Sequence, residues 1–177
     1  MTEIKTSDLK KMKYLKCGDL IMLSGTLFTA RDLALKRIAE EKNFPEILRN
    51  AIIFHAGPTE KNSKNLFSCG PTTAKRMDVF LQFLFENNLF ATIGKGERDI
   101  DIHRKFGKIY FIAFGGLGSL YGSRIKKMTP ILYKELKSEA IYRIEIIDFP
   151  VLVGIDSKGK SIFNRRKNDK DRIDVRK

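Results

Sequence analysis

The sequence predicts an α/β domain, and three observations predict it. Strand-like and helix-like stretches alternate after the first ~18 residues, Gly- and Thr-rich turns separate them, and one helical stretch is apolar nearly all round. With 177 residues, 42% of them hydrophobic, the chain is long enough to bury a sizeable core in one domain. The alternation fits an ordinary doubly wound sheet and a mixed three-layer domain equally.

The first strand is expected over 19–24, where Leu20-Ile21-Met22-Leu23 is an apolar run. Helical spacing through Ala30, Leu33, Ala34 and Ile38 then predicts a helix over 30–42, with Thr29 as its natural cap. Asp32 suits the positive start of that helix, whereas Arg31 opposes the dipole. Its placement asks for a compensating anion, or it points into water at a cost of only ~0.3–1 kcal/mol. A strand over 50–55 leads into Ala56-Gly57-Pro58.

The next helix is expected over 72–87, opened by the Gly70-Pro71 turn and capped by Thr72. On a helix the four-residue spacing puts Thr72 and Arg76 on one face, beside free N–H groups, which suits a carboxylate or phosphate. A capped helix with a solvated Arg satisfies the same pattern. Residues 79–85, Val-Phe-Leu-Gln-Phe-Leu-Phe, call for burial on most sides. Together with Arg31, this second cationic helix start suggests a ligand with two anionic ends.

A strand over 90–94 delivers Gly94-Lys95-Gly96, which lacks the Ser/Thr that would follow the lysine of a phosphate loop. A helix over 98–106 and a strand over 108–114 follow. Gly115-Gly116-Leu117-Gly118-Ser119 then forms a tight turn or presents N–H groups to an anion, before a helix over 116–123. Strands are expected over 140–147, 150–155 and 160–163, with Asp156-Ser157-Lys158-Gly159 as a hairpin turn between the last two. Residues 165–177 lack an apolar face and are expected to be a charged, disordered tail.

The formal charge of +13 raises nucleic acid as a partner, but its distribution argues against it. Residues 1–16 hold five Lys against two acids, and residues 165–177 seven Lys/Arg against three acids. Solvated termini and an anion site account for the excess, with no aromatic–basic alternation and no nucleic-acid module. No run approaches the ~18–20 apolar residues of a membrane span, and the first residues are charged, so a cytoplasmic protein is expected. Cys17 and Cys69 are too few to hold an iron–sulfur cluster and unspaced for zinc, which leaves them as buried or incidental thiols. His55 and His103 belong to no metal-ligand spacing, and His55 is expected as a packing residue at a strand end.

Several of these motifs occur together, in one order, in a known family. Ser-Gly-Thr-Leu-Phe-Thr-Ala-Arg-Asp at 24–32, Ala56-Gly57-Pro58, Gly-Pro-Thr-Thr-Ala-Lys-Arg-Met-Asp at 70–78 and Gly94-Lys95-Gly96 resemble the β part of class I fumarate hydratases, a family shared with L-tartrate dehydratase. Gly115-Gly116, Glu139-Ala140 and Asp148-Phe149-Pro150 extend the resemblance to roughly residues 10–163. The Gly-Pro-Thr-Thr motif is its specific part; Gly-Lys-Gly and Gly-Gly alone are weak. The chain departs from the family at His55, where Tyr is more frequent, and at Leu35, where His is usual.

The resemblance implies a three-layer swivelling β/β/α domain over residues 1–164. It also implies a hydro-lyase β subunit that interconverts fumarate and (S)-malate and is inactive without its α subunit. A 4Fe-4S cluster would sit on that α subunit and not on this chain. Arg31 and Arg76 become carboxylate clamps, because a guanidinium grips a carboxylate with two parallel hydrogen bonds. Lys95 becomes a third substrate contact and Thr72 the proton-transfer position, or a cap and positioning group only. Fixed cations of this kind stabilise the enediolate-like charge that builds as a weakly acidic proton leaves. Dehydration of L-tartrate or another hydroxy-dicarboxylate is an alternative within the family. A non-catalytic basic module that binds RNA or a regulatory anion is the alternative outside it.

Overall fold

The computed structural model describes residues 2–59 and 67–163. The mixed α/β class holds: seven strands form one sheet in the order β1-β2-β3-β4-β5-β7-β6, with helices between them. The strands are β1 (Thr2–Lys5), β2 (Leu20–Thr29), β3 (Ile52–Phe54), β4 (Ala91–Gly94), β5 (Ile109–Ile112), β6 (Ile125–Leu132) and β7 (Ile141–Ile155). The helices are α1 (Leu9–Met12), α2 (Asp32–Glu41), α3 (Asp78–Glu86), α4 (Ile100–Phe106) and α5 (Gly118–Arg124).

Strands β2, β3, β4 and β5 run parallel, with Phe28 opposite Ile53, Ile52 opposite Ala91 and Ala91 opposite Ile109. Antiparallel β7 pairs with both β5 and β2, so β2-β3-β4-β5-β7 is a closed circuit. Alternate residues of all five strands meet in one core, among them Leu23, Leu27, Ile52, Phe54, Ile93, Phe111, Val151 and Val153. The residues between them face outward. Ile53 packs with Leu35 and Ile38 of α2 and Leu81, Leu84 and Phe85 of α3 in a second core, and Tyr110 packs with Ala74 and Ile155 in a third.

Strand β2 continues five residues past the expected end at Ser24, because Gly25 makes a bulge rather than a stop. Its φ of +128° suits glycine, and a Cβ there would meet Thr6 Oγ1 at 2.3 Å. The same irregularity accounts for β7. Residues 140–147 and 150–155 form one fifteen-residue strand, bent at Asp148, where φ is +50° and the N–H donates to Ser24 Oγ at 3.0 Å. The hairpin turn at 156–159 is present, closed by Asp156 N–H on the Lys160 carbonyl at 3.0 Å. Its second arm is a single bridge at Ser161 rather than a strand over 160–163.

Strands β1 and β6 were not expected. Lys126, Lys127 and Pro130 conceal β6, which among the described residues pairs on one side only, with β7, where proline and lysine are tolerated. Helix α3 buries Leu81, Leu84 and Phe85 on one face but leaves Val79 80% exposed, so it is not enclosed on most sides. Among the described residues no helix is long and apolar enough to cross a membrane. The tail 165–177 lies outside the described residues.

Candidate functional site at the carboxyl ends of the parallel strands

Ligands of parallel α/β sheets, open or closed, sit beyond the carboxyl ends of the strands, where loops diverge and helices begin. That edge holds all four residues singled out in the sequence. Arg31 follows β2, Lys95 follows β4, and Thr72 and Arg76 lie on the segment that crosses between the ends of β3 and β4.

Thr72 is not a helix cap. Its N–H and its hydroxyl both donate to the His55 carbonyl, at 2.8 and 3.0 Å, and its own carbonyl accepts the Lys95 N–H at 3.0 Å. Thr73 bridges to Lys95 in parallel, and the Ala74 N–H donates to the Lys95 carbonyl at 2.9 Å. Residues 72–74 therefore behave as a short extra strand. Only then does a 3₁₀ turn, Ala74–Met77, lead into α3. Thr72 and Arg76 accordingly share an edge of the molecule but not a helix face, because the backbone of Thr72 is committed to its neighbours on either side.

Thr29 is not the cap of α2 either. It ends β2, with its Oγ1 accepting the Tyr142 N–H at 3.0 Å and donating to the Ala140 carbonyl at 3.4 Å. The cap position falls to Arg31, which offers no side-chain hydrogen bond to the helix. The compensating anion that Arg31 asks for is supplied from 108 residues away: its Nη2 lies 3.2 Å from Glu139 Oε1. Glu139 Oε2 also accepts the Leu33 N–H at 2.9 Å, so one carboxylate serves both the helix start and the guanidinium. Gly57 is required beside it, since a Cβ there would meet Arg31 Nη1 at 2.6 Å and the Ser138 carbonyl at 3.0 Å.

Arg76 pairs with Asp32 at 2.8 Å, both groups being part exposed, which joins the turn before α3 to the start of α2. Such a pair is worth roughly 0–1 kcal/mol and exchanges readily for another carboxylate. Lys95 is exposed, with its stem laid against Gly115, where a Cβ would meet the lysine Cδ at 2.9 Å. Gly94 is close-packed too, 2.8 Å from the Ala74 Cβ if it carried a Cβ of its own. The glycines of this edge thus let side chains and backbone approach one another.

His55 matters more to the site than strand-end packing suggests. It is fully buried, and desolvation first, then the nearby Arg98 charge, hold its pKa well below the ordinary histidine value. The neutral ring donates from Nδ1 to the Ala30 carbonyl at 2.9 Å, and Nε2 has no hydrogen-bond partner among the described residues. The residue therefore ties the end of β2 to Thr72 through its ring and its carbonyl. Sequence reasoning assigns no role to Glu139 or Arg98, and to Asp32 only the helix start. Only Glu139 and Asp32 carried a signal, as part of resembling motifs, since partnership across the fold leaves no trace in local spacing.

The thiols do not fit a cluster. Burial pushes Cys69 up to about 12, so it stays protonated, and the Cys17 thiol donates to the Gly154 carbonyl at 3.6 Å. Among the described residues no group of three His, Cys, Asp or Glu is placed to hold a metal ion.

Comparison with known proteins bears on this edge. Residues 2–166 match the family described as Fumarase C-terminus. The chain is 34% identical over 168 residues to a putative L(+)-tartrate dehydratase subunit beta of Methanocaldococcus jannaschii, covering 87% of this chain and 86% of that protein. It is 31% identical over 176 residues to the L(+)-tartrate dehydratase subunit beta of Escherichia coli, covering 94% and 86%. It is also 34% identical over 158 residues to fumarate hydratase 2 of Leishmania major, covering 84% of this chain but only 28% of that protein. The chain therefore spans most of the two beta subunits and about a quarter of the hydratase.

Proposed function

The chain belongs to the Fumarase C-terminus family, and from that premise we propose that it is the β subunit of a hydro-lyase that interconverts fumarate and (S)-malate. The observation that carries the reading is the single edge on which Arg31, Thr72, Arg76 and Lys95 meet, with two of the three cations already holding carboxylates. Dehydration of L(+)-tartrate is the second reading, favoured by the two beta subunits whose length the chain spans. Residues 1–164 would be the swivelling β/β/α unit. The closed circuit of strands, its inner core and the outer layer of α2 and α3 support that arrangement.

In this reading the substrate carboxylates displace Asp32 from Arg76 and Glu139 from Arg31. Each guanidinium keeps a charge-assisted pair, while Asp32 turns to solvent and Glu139 keeps the Leu33 N–H. Lys95 adds a third positive charge where the departing proton leaves negative charge on the substrate. Thr72 Oγ1 holds its own proton on the His55 carbonyl, so it takes the substrate's proton only by giving up its own to a base, which the partner subunit supplies.

The 4Fe-4S cluster that supplies Lewis acidity to the leaving hydroxyl would belong to that partner, since the two thiols here are unsuited to it. The partner also covers the edge. Leu33, Val79, Phe114 and Leu117 are 36–80% exposed around the four polar residues, and their burial would exclude the water that weakens charge interactions. The test is co-purification with a Cys-bearing α subunit, followed by anaerobic assay of fumarate hydration and L(+)-tartrate dehydration. Turnover of fumarate supports the first reading and of tartrate alone the second. A cluster-loaded assembly that turns over neither overturns both.

A further inference from the structure

Beneath the Lys95 turn lies a charge that the site does not use directly. The Arg98 side chain is fully buried, its Nε 2.7 Å from Asp78 Oδ1 and its guanidinium carbon 5.7 Å from the centre of the Tyr110 ring. Nη1 and Nη2 have no hydrogen-bond partner among the described residues. A buried guanidinium with one half-buried carboxylate is a poor source of stability, because desolvation opposes the pairing and an apolar pair of similar volume often does as well.

Its neighbours say what else it does. Asp78 opens α3 two residues after Arg76, and its Oδ2 accepts the Asp99 N–H at 3.1 Å. The Tyr110 hydroxyl donates to the Gly96 carbonyl at 3.0 Å, at a turn where Gly96 has φ +81°. On its other side the Lys95 turn is held by the Thr72 carbonyl and the Ala74 N–H. Arg98 thus meets both the residue that starts α3, just after the turn that carries Arg76, and the ring that holds the Lys95 turn.

We propose that Arg98 is a positioning residue, which through Asp78 and Tyr110 sets the Lys95 turn against the start of α3 and so fixes the spacing of Lys95 and Arg76. The proposal rests on the reading of those two residues as dicarboxylate contacts. The apolar variant Arg98→Met removes the charge without demanding a cavity, and rescue by Arg98→Lys separates this role from a merely structural one.

In the protein assembled with its partner subunit, Arg98→Met should raise KM for the dicarboxylate about tenfold or more and lower kcat as well, because Lys95 meets the charge that builds in the transition state. Amide exchange at Lys95 and Ala74 should quicken about tenfold more than at the β2 and β7 amides, with Tm lowered because Asp78 loses its partner. Arg98→Lys, which restores a charge opposite Asp78, should recover part of the KM, and Tyr110→Phe should move KM and exchange in the same direction by less. Tyr110→Phe decides the question if Arg98→Met does not fold. Unchanged KM in folded Arg98→Met, or in Tyr110→Phe, overturns the proposal. A wild-type assembly that turns over neither dicarboxylate overturns the functional reading instead. The exchange measurement then decides this one, unchanged protection refuting it.

Discussion

At the scale of single residues two of the three cations, Arg31 and Arg76, are held by carboxylates, which in the proposed function a substrate replaces. Arg76 shows the consequence most directly, because its partner Asp32 is itself part exposed and the pair adds little to stability. In the proposed role Arg76 grips a substrate carboxylate with two parallel hydrogen bonds, a geometry that the lysine ammonium cannot reproduce. Arg76→Lys should therefore lower kcat/KM of the assembled enzyme roughly ten- to hundredfold, equivalent to an uncompensated charge-assisted hydrogen bond of ~1.5–3 kcal/mol. Its Tm should hardly change. Steady-state kinetics with fumarate and malate, beside a thermal melt, check both halves, and unaltered kcat/KM leaves Arg76 as a mere link between two helices. The residue types of this site were legible from motif and resemblance. Their partners were not: Arg31 finds Glu139 and Arg76 finds Asp32 across several intervening strands and helices, and no local spacing encodes either pairing.

At the scale of elements, the sequence was clearest where one chemical signal dominates. The apolar runs of β3, β4 and β5 and the helical period of α2 and α4 fall within two or three residues of expectation. It was opaque where a local signal for interruption is overridden by pairing. Ser24-Gly25 and Asp148-Phe149-Pro150 both suggest chain breaks, yet Met22 pairs with Pro150 and Gly25 with Ile146, so the two irregularities lie side by side in one continuous ladder. Lys126-Lys127 and Pro130 hide β6 for a similar reason, since edge position removes the usual objection to them. The cap assignments to Thr29 and Thr72 failed because both hydroxyls serve β-type neighbours instead. Gly25→Ala tests the bulge. A Cβ at φ +128° and 2.3 Å from Thr6 Oγ1 forces β1 away from β2, and a loss of roughly 1–3 kcal/mol in chemical denaturation is expected. An alanine variant as stable as the parent would mean that β1 and Thr6 give way freely.

For the molecule as a whole, the parallel strands have two ends of different character. Their carboxyl end carries the cations and the exposed apolar residues Leu33 (52%) and Val79 (80%), each one residue inside a helix start that Asp32 or Asp78 opens. Ile47, 46% exposed, stands in the turn before β3, at the amino end. If the partner subunit covers the carboxyl end, burying Val79 removes apolar area from water, and a carboxylate in its place is left desolvated among cations that the substrate occupies. Val79→Asp should then weaken association by roughly 1–3 kcal/mol, about ten- to hundredfold in Kd. The isolated chain should melt within a few degrees of the parent, because exposed substitutions are usually worth less than ~0.5 kcal/mol and an acid in the first turn of a helix is favourable. Leu33→Asp should behave alike, whereas Ile47→Asp, the same chemical change at the other end, should leave Kd unaltered. Titration calorimetry of the three variants against the partner subunit separates the cases: equal weakening by all three points to a general charge effect, and no weakening by Val79→Asp or Leu33→Asp places the partner on a different face.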